Sequence, residues 1–200
     1  KFSHPLMHNN FSNSDIKAAI NLLKKKKRIL TQSKLVEKFE KKWSNWLGVK
    51  YSVFVNSGSS ANLITMAVLK IIYGTGEVIV PTLTWVSDIN SVIMNNFKPV
   101  FVDINPKTLC MSEKEIYKKV NKKTLAVFIT HAQGFNGLSK NLIAFLKKKK
   151  ILLIEDVCES HGATFNKKKL GTFGKISNFS FYYAHHMSTI EGGMICTNDK

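Results

Sequence analysis

The densest chemistry in this 200-residue chain lies in Phe179-Ser180-Phe181-Tyr182-Tyr183-Ala184-His185-His186, followed by Glu191-Gly192-Gly193. A strand-like run leads into two adjacent imidazoles, and Glu-Gly-Gly opens the next run. Paired histidines could bind a metal, but no His or Glu stands four residues on and no second cluster follows. A zinc site is therefore not expected. One imidazole working as an acid–base group near neutral pH fits the pattern better. Successive residues of an extended segment point to opposite sides, so one ring is expected to face a site and the other to pack or meet solvent.

Two further clusters carry chemistry. Asn56-Ser57-Gly58-Ser59-Ser60-Ala61 is a small-residue turn between a strand-like run and a helical one. Free N–H groups at a helix start, with serine hydroxyls, can cup a phosphate; the same residues also suit a capped helix. No Gly-Lys-Thr follows, so this is no P-loop. Glu155-Asp156 ends an aliphatic run. A carboxylate there needs a donor or cation: Asp156 could hold a protonated ring nitrogen or cap a turn. Cys110, Cys158 and Cys196 are odd in number and far apart, which speaks against a disulfide framework and for a reducing cytoplasm. Cys110 and Cys196 read as core packing.

The elements that must hold these groups alternate. Residues 14–26 read as an amphipathic helix with Ile16, Ala19, Ile20 and Leu23 on one face and Ser14 as cap. A second helix covers residues 34–47, stopped by Gly48. Strands are expected at 52–55, 77–80, 100–103, 125–130, 151–155, 176–182 and 193–197. Helices are expected at 61–72, 84–95, 112–120 and 139–149. This order predicts an α/β fold with a mainly parallel sheet covered by helices, and an antiparallel element where the last two strands lack a helix between them. Residues 1–50 form an N-terminal helical segment and 51–200 one ligand-binding domain. Ligands in such sheets bind at the carboxyl ends of strands. The polar residues 57–60, 82–85, 156–159 and His131 all fall at those ends.

Hydrophobic residues at 44% suffice for a buried core. The net charge is +17, from 30 Lys and Arg against 13 Asp and Glu. The lysines gather at 24–27, 147–150 and 167–169, at element ends and in a turn, without the Arg-rich groove or stacking aromatics of a nucleic-acid binder. Residues 1–13 lack the apolar core of a secretory signal, and no run approaches the ~20 residues of a membrane span. The chain starts without Met and stops after a strand-like run, so it is expected to be a fragment.

Taken together, Asn56-Ser57-Gly58-Ser59-Ser60-Ala61, Pro81-Thr82-Leu83-Thr84-Trp85, Pro99-Val100-Phe101-Val102-Asp103-Ile104, Glu155-Asp156, Gly171-Thr172-Phe173-Gly174, Phe179-Ser180-Phe181 and Glu191-Gly192-Gly193 resemble one family. It is the sugar aminotransferase family (DegT/DnrJ/EryC1/StrS) of fold-type I pyridoxal-phosphate enzymes. The likeness runs from about residue 5 to residue 199. It implies a large domain truncated before a small C-terminal one. It also implies a homodimer, and pyridoxal or pyridoxamine phosphate as cofactor. By this resemblance Ser59, Ser60 and Ser180 hold the cofactor phosphate and Trp85 stacks on its ring. Asp156 pairs with the ring nitrogen, and Glu159 is a further cofactor contact.

The chain departs from the aminotransferase pattern at one position. Members of that pattern carry a Schiff-base lysine five residues after the phosphate-binding serine; five residues after Ser180 stands His185, and no Lys occurs from 176 to 199. Imidazole cannot hold the cofactor covalently but can move protons. The likeness is thus to the His-for-Lys subgroup, 3-dehydratases of nucleotide-linked 4-keto-6-deoxy sugars in surface-polysaccharide biosynthesis, with His185 as catalytic base. One branch regenerates its cofactor with a glutamate-like amino donor. The other uses an iron–sulfur cluster, for which Cys158 resembles one ligand. Glu159 and the 187–190 segment favour the first. A sugar aminotransferase of the same family and an inactive relative are the alternatives.

Overall fold

The computed structural model describes Ser3 and residues 11–200; the start of the 1–50 segment and of the family likeness lies outside the described residues. Two helices come first, α1 (Asn13–Leu23) and α2 (Lys34–Leu47). Then follow β1 (Tyr51–Val55), α3 (Gly58–Tyr73), β2 (Glu77–Pro81), α4 (Val86–Met94), β3 (Lys98–Val102), α5 (Glu113–Lys119) and β4 (Thr124–Thr130). The chain continues with α6 (Lys140–Lys149), β5 (Leu152–Asp156), a two-residue hairpin β6 (Thr164–Phe165) and β7 (Lys168–Lys169), β8 (Ile176–Ser180) and β9 (Gly193–Thr197). The hairpin is too short to leave a pattern in the sequence. Its turn residues Asn166 and Lys167 both take positive φ.

Seven strands make one sheet in the order β1-β9-β8-β5-β4-β2-β3. The pairs from β3 to β8 are parallel, whereas β9 runs against both β8 and β1. All strands except β9 therefore run one way, and their carboxyl ends share an edge. Alternation along each strand splits the core into two layers. Ala126, Phe128, Val78, Val80, Ile154 and Ile176 pack with Met66, Leu69 and Val92 of α3 and α4. Val127, Ile129, Ile79, Leu153 and Phe179 pack with Trp43 and Leu47 of α2, Ile116 of α5 and Leu142 and Leu146 of α6.

Local signals explain the helix boundaries. Ser33, Ser57 and Ser139 cap α2, α3 and α6 through side-chain acceptors. Gly48 ends α2 in a left-handed conformation at φ 94°. The first helix departs from expectation. Its cap is Ser12, not Ser14, because Asp15 reaches back to the Ser12 amide and completes a capping box. The helix ends at Leu23, and its apolar face is open, with Ile16 48%, Ile20 42% and Leu23 53% exposed. The lysines of 24–27 and 147–150 are solvent-exposed. Lys169 lies over the Trp46 ring, 5.0 Å from its centroid.

Candidate functional site

The shared sheet edge gathers the polar residues. Val55, Gly193 and Ser180 are paired across β1, β9 and β8, so the turn after β1, the start of β9 and the end of β8 meet at one level. Beside them a cavity of about 650 Å³ opens, bordered by Ser59, Trp85, Asp156, Glu159, Ser180 and His185. Thr130 and Gln133 from the end of β4 border it too. The expected site residues thus meet in one place, with one exception. Ser60 lies inside the first turn of α3, since that helix starts at Gly58 rather than at 61. Its amide donates to Ser57 Oγ and its hydroxyl oxygen accepts from Ser57 Oγ, both at 3.1 Å, and it does not border the cavity.

Close approach of backbones builds the cup under α3. A Cβ on Gly193 would lie 2.2 Å from the Ser57 carbonyl oxygen, so only glycine lets β9 pass beneath the turn. This is the physical content of the Glu-Gly-Gly motif. A Cβ on Gly58 would meet Ser180 Cβ at 2.7 Å and Cys158 Sγ at 3.0 Å. The start of α3, with its unsatisfied first-turn N–H groups, therefore sits directly against the Ser180 hydroxyl. Such a concave, donor-rich start fits a phosphate group.

Strand parity decides which polar ends face the cavity. Thr130, Asp156 and Ser180 share the side of α3 and α4, whereas His131 and Glu155 turn to the opposite layer. His131 is accordingly not a site residue. Its Nδ1 accepts from Gly137 N–H at 3.1 Å, so Nε2 carries the hydrogen and donates to Glu155 at 3.1 Å. The Glu155 carboxylate also accepts from the amides of Gly171, Phe173 and Gly174 at 2.6–2.8 Å. The Gly171-Thr172-Phe173-Gly174 motif is a turn wrapped around this buried acid.

Asp156 is 3% exposed and accepts from Cys158 N–H at 2.9 Å and from Asn62 Nδ2 at 3.1 Å. Glu159 accepts from the backbone and side-chain amides of Gln133 at 3.0 and 3.2 Å. Trp85 precedes α4 with its ring 67% exposed. The Cys158 thiol is held well above its ordinary range by burial, and then by the charge of Asp156. Cys110 and Cys196 are buried, and burial pushes the Cys196 thiol up to about 12. Among the described residues no group of three or more His, Cys, Asp or Glu is arranged to hold a metal ion.

The histidine segment departs from the expected geometry. Residues 182–191 are not extended; they form a loop whose base is tied by Phe181 N–H to Gly192 O at 2.8 Å and Thr189 N–H to Phe181 O at 3.0 Å. A turn closes from His185 N–H to Tyr182 O at 3.0 Å. Alternation does not apply inside a turn, and both His185 and His186 border the cavity. Burial lowers the pKa of His185, opposed by the carboxylates of Glu159 and Asp156, and His186 lowers it further. The lowered pKa favours the neutral imidazole, the form able to accept a proton. Behind both rings lies His161, among Trp43, Phe179 and Phe181. Burial, then His185 and His186, bring its pKa down to about 3. Sequence reasoning missed Thr130 and Gln133. The first could have been found by strand parity; the second depends on a positive φ of 53° that no residue type signals.

Comparison with known proteins agrees with this architecture. The chain is 36% identical over 172 residues to GDP-perosamine synthase of Escherichia coli O157:H7, covering 86% of this chain and 47% of the relative. It is 32% identical over 203 residues to GDP-4-keto-6-deoxy-D-mannose 3-dehydratase of Escherichia coli O55:H7, covering 99% and 52%. It superposes with a TM-score of 0.92 and 33% identity on a crystal structure of GDP-4-keto-6-deoxymannose-3-dehydratase with a trapped PLP-glutamate geminal diamine, covering 98% of this chain and 52% of that one. The fold is thus that of a fold-type I pyridoxal-phosphate transferase large domain, and the chain spans about half the length of the curated relatives it matches. Among the described residues no helix is long and apolar enough to cross a membrane. The pattern of the DegT/DnrJ/EryC1/StrS aminotransferase family matches residues 10–200, and the chain belongs to that family.

Proposed function

We propose that this chain supplies the cofactor-binding part, residues 51–200, of a 3-dehydratase acting on a nucleotide-linked 4-keto-6-deoxy sugar. The carrying observation is that His185 borders the same cavity as Asp156 and Ser180, and that no lysine borders it among the described residues. The residues fit pyridoxamine phosphate. The start of α3, with Ser59 and Ser180, offers donors for its phosphate. Ser60 has a role only through its capping contact with Ser57. Trp85 offers a flat face, and Asp156 an acceptor for a ring N–H⁺. Glu159, held by Gln133, completes the set beside His185.

When bound, the cofactor supplies an amine to condense with the sugar ketone and a ring that withdraws electrons. The neutral His185 takes the proton from the carbon bearing that amine and delivers it to the departing C3 hydroxyl. Asp156 keeps the ring nitrogen protonated. In this reading a glutamate-like donor restores the amine, as the glutamate in the relative's complex suggests. The protein then acts as a cytoplasmic homodimer in surface-polysaccharide synthesis, without nucleic acid or membrane. Cys158 stands without two further His, Cys, Asp or Glu groups placed to share a metal among the described residues, and Glu159 beside the cavity supports the amino-donor branch.

Amino transfer to the same sugar, the activity named for the perosamine synthase, is the second reading, favoured by 36% identity. Product analysis separates the two. Full-length protein with pyridoxamine phosphate and GDP-4-keto-6-deoxymannose should yield a 3-deoxy sugar; a 4-amino sugar as sole product would overturn the proposal. Borohydride treatment of protein loaded with pyridoxal phosphate, followed by peptide mapping, should find no pyridoxyl-lysine.

A further inference from the structure

A second acid lies beside Asp156, unannounced by any motif. Asp88, in the first turn of α4, is wholly buried. Its Oδ1 accepts from Asn62 Nδ2 at 2.7 Å, and the same nitrogen reaches Asp156 Oδ2 at 3.1 Å. The orientation of Asn62 is enforced from behind. Thr65 Oγ1 donates to Asn178 Oδ1 at 2.8 Å, and Asn178 Nδ2 donates to Asn62 Oδ1 at 2.9 Å. The amide of Asn62 then presents its NH₂ to the two acids, with Ser87 Oγ also 3.1 Å away.

The other oxygen of Asp88 reveals its proton. Asp88 Oδ2 lies 2.5 Å from Thr84 Oγ1 and 2.6 Å from Thr130 Oγ1, and the two hydroxyl oxygens are 2.7 Å apart. Three oxygens thus form a closed triangle of hydrogen-bonded edges. Each edge needs one hydrogen, and two hydroxyls supply two. A proton on the carboxyl group supplies the third. An ionised Asp88 would leave the Thr84–Thr130 edge with no hydrogen, and would put two negative charges around one amide in a dry interior.

We infer that Asp88 is a neutral carboxylic acid that acts as a positioning residue: it confines the negative charge to Asp156 and, through Asn62, aims that carboxylate into the cavity. This rests on the cofactor reading above, in which one carboxylate faces one ring N–H⁺. Burial, and secondly the charge of Asp156, hold the Asp88 acid well above the usual carboxylate range, outweighing the Thr130 and Thr84 hydroxyls, which lower it. Among the described residues the ionisable groups that interact with it are Asp156 and the thiol of Cys158; its hydrogen-bonding side chains are Asn62 from α3, Thr130 from β4 and Thr84 before α4.

Infrared difference spectroscopy on cofactor-free, full-length protein tests the proton directly. Wild type at neutral pH should show the carbonyl band of a protonated carboxylic acid, and Asp88→Asn should lose it. Absence of that band in wild type, or its survival in Asp88→Asn, would overturn the inference. Titration with pyridoxamine phosphate tests the positioning. Asp88→Asn keeps a neutral group of the same shape and should bind within about threefold of wild type with the same pH profile. Asp88→Ala should bind about tenfold more weakly. Equal weakening by Asn and Ala would show that Asp88 serves as an anion, against the inference. Failure of wild type to bind the cofactor, with the acid band present, would overturn the cofactor reading and leave the neutral Asp88 standing.

Discussion

Glu155 and Asp156 are consecutive acids on β5, and they have opposite fates. Glu155 faces the α2/α6 layer, where three backbone amides and the His131 ring fill its acceptor sites. Asp156 faces the α3/α4 layer with one amide and a shared Asn62 contact, and its remaining capacity opens to the cavity. The same contrast separates His131, committed through both ring nitrogens, from His185 in its turn. Saturated groups hold the fold together; groups with capacity to spare are left for a ligand. Residue type alone does not distinguish them.

The contrast breaks most visibly at Glu155. Glu155→Ala would orphan one buried and two part-buried amides and a buried histidine and should cost about 3–5 kcal/mol of stability, read as a lowered denaturation midpoint. Asp156→Asn should move that midpoint by less than about 1 kcal/mol. If the two variants unfolded alike, the division between structural and functional acids would be wrong.

Next in size is His185→Asn in the full-length protein. It should lower the dehydration rate by roughly 10²–10⁴, about 3–5 kcal/mol of barrier, while pyridoxamine phosphate still binds. His186→Asn is the control, more informative now that both rings border the cavity. Activity lost in His186→Asn and kept in His185→Asn would transfer the base to the neighbouring ring. Asp156→Asn should slow the reaction by about 10² and weaken cofactor binding; an unchanged rate would reduce Asp156 to a turn cap.

The smallest effect lies in the pH profile. In the proposed reading a neutral His185 is the base, so activity should fall as pH drops through a pKa below the ordinary ~6.5. Glu159 raises that pKa and His186 lowers it. Glu159→Gln should therefore move the acid limb to lower pH, and His186→Asn to higher pH. Shifts in the same direction would contradict the arrangement of charges around His185.

Much of this was legible in the residues. Continuous apolar runs placed the strands of the main sheet within one or two positions, and Gly48 and Ser139 marked helix boundaries because capping is local chemistry. The convergence of Ser59, Asp156, Ser180 and His185 followed from parallel strands sharing a carboxyl edge. The rest depended on tertiary context. Asp88 reads as an ordinary acid in a first helical turn, since its partners come from α3 and β4. His131 looked like a site residue because strand parity was not followed to the last position. His186 was assigned to packing on a rule for extended chain, which the tight 182–191 loop does not obey.

β9 lies between β8 and β1, and among the described residues it is the sheet's only link to β1. Its partner Tyr51–Val55 precedes it by some 140 positions. Contacts so far apart in sequence form late, because the intervening chain must first lose its freedom. During synthesis the serine turn after β1 would leave the ribosome early, yet it has no strand to rest on until Gly193–Thr197 emerges. The cavity therefore closes from its far end: the strand that follows the histidine loop is also the one whose arrival locks the serine turn in place.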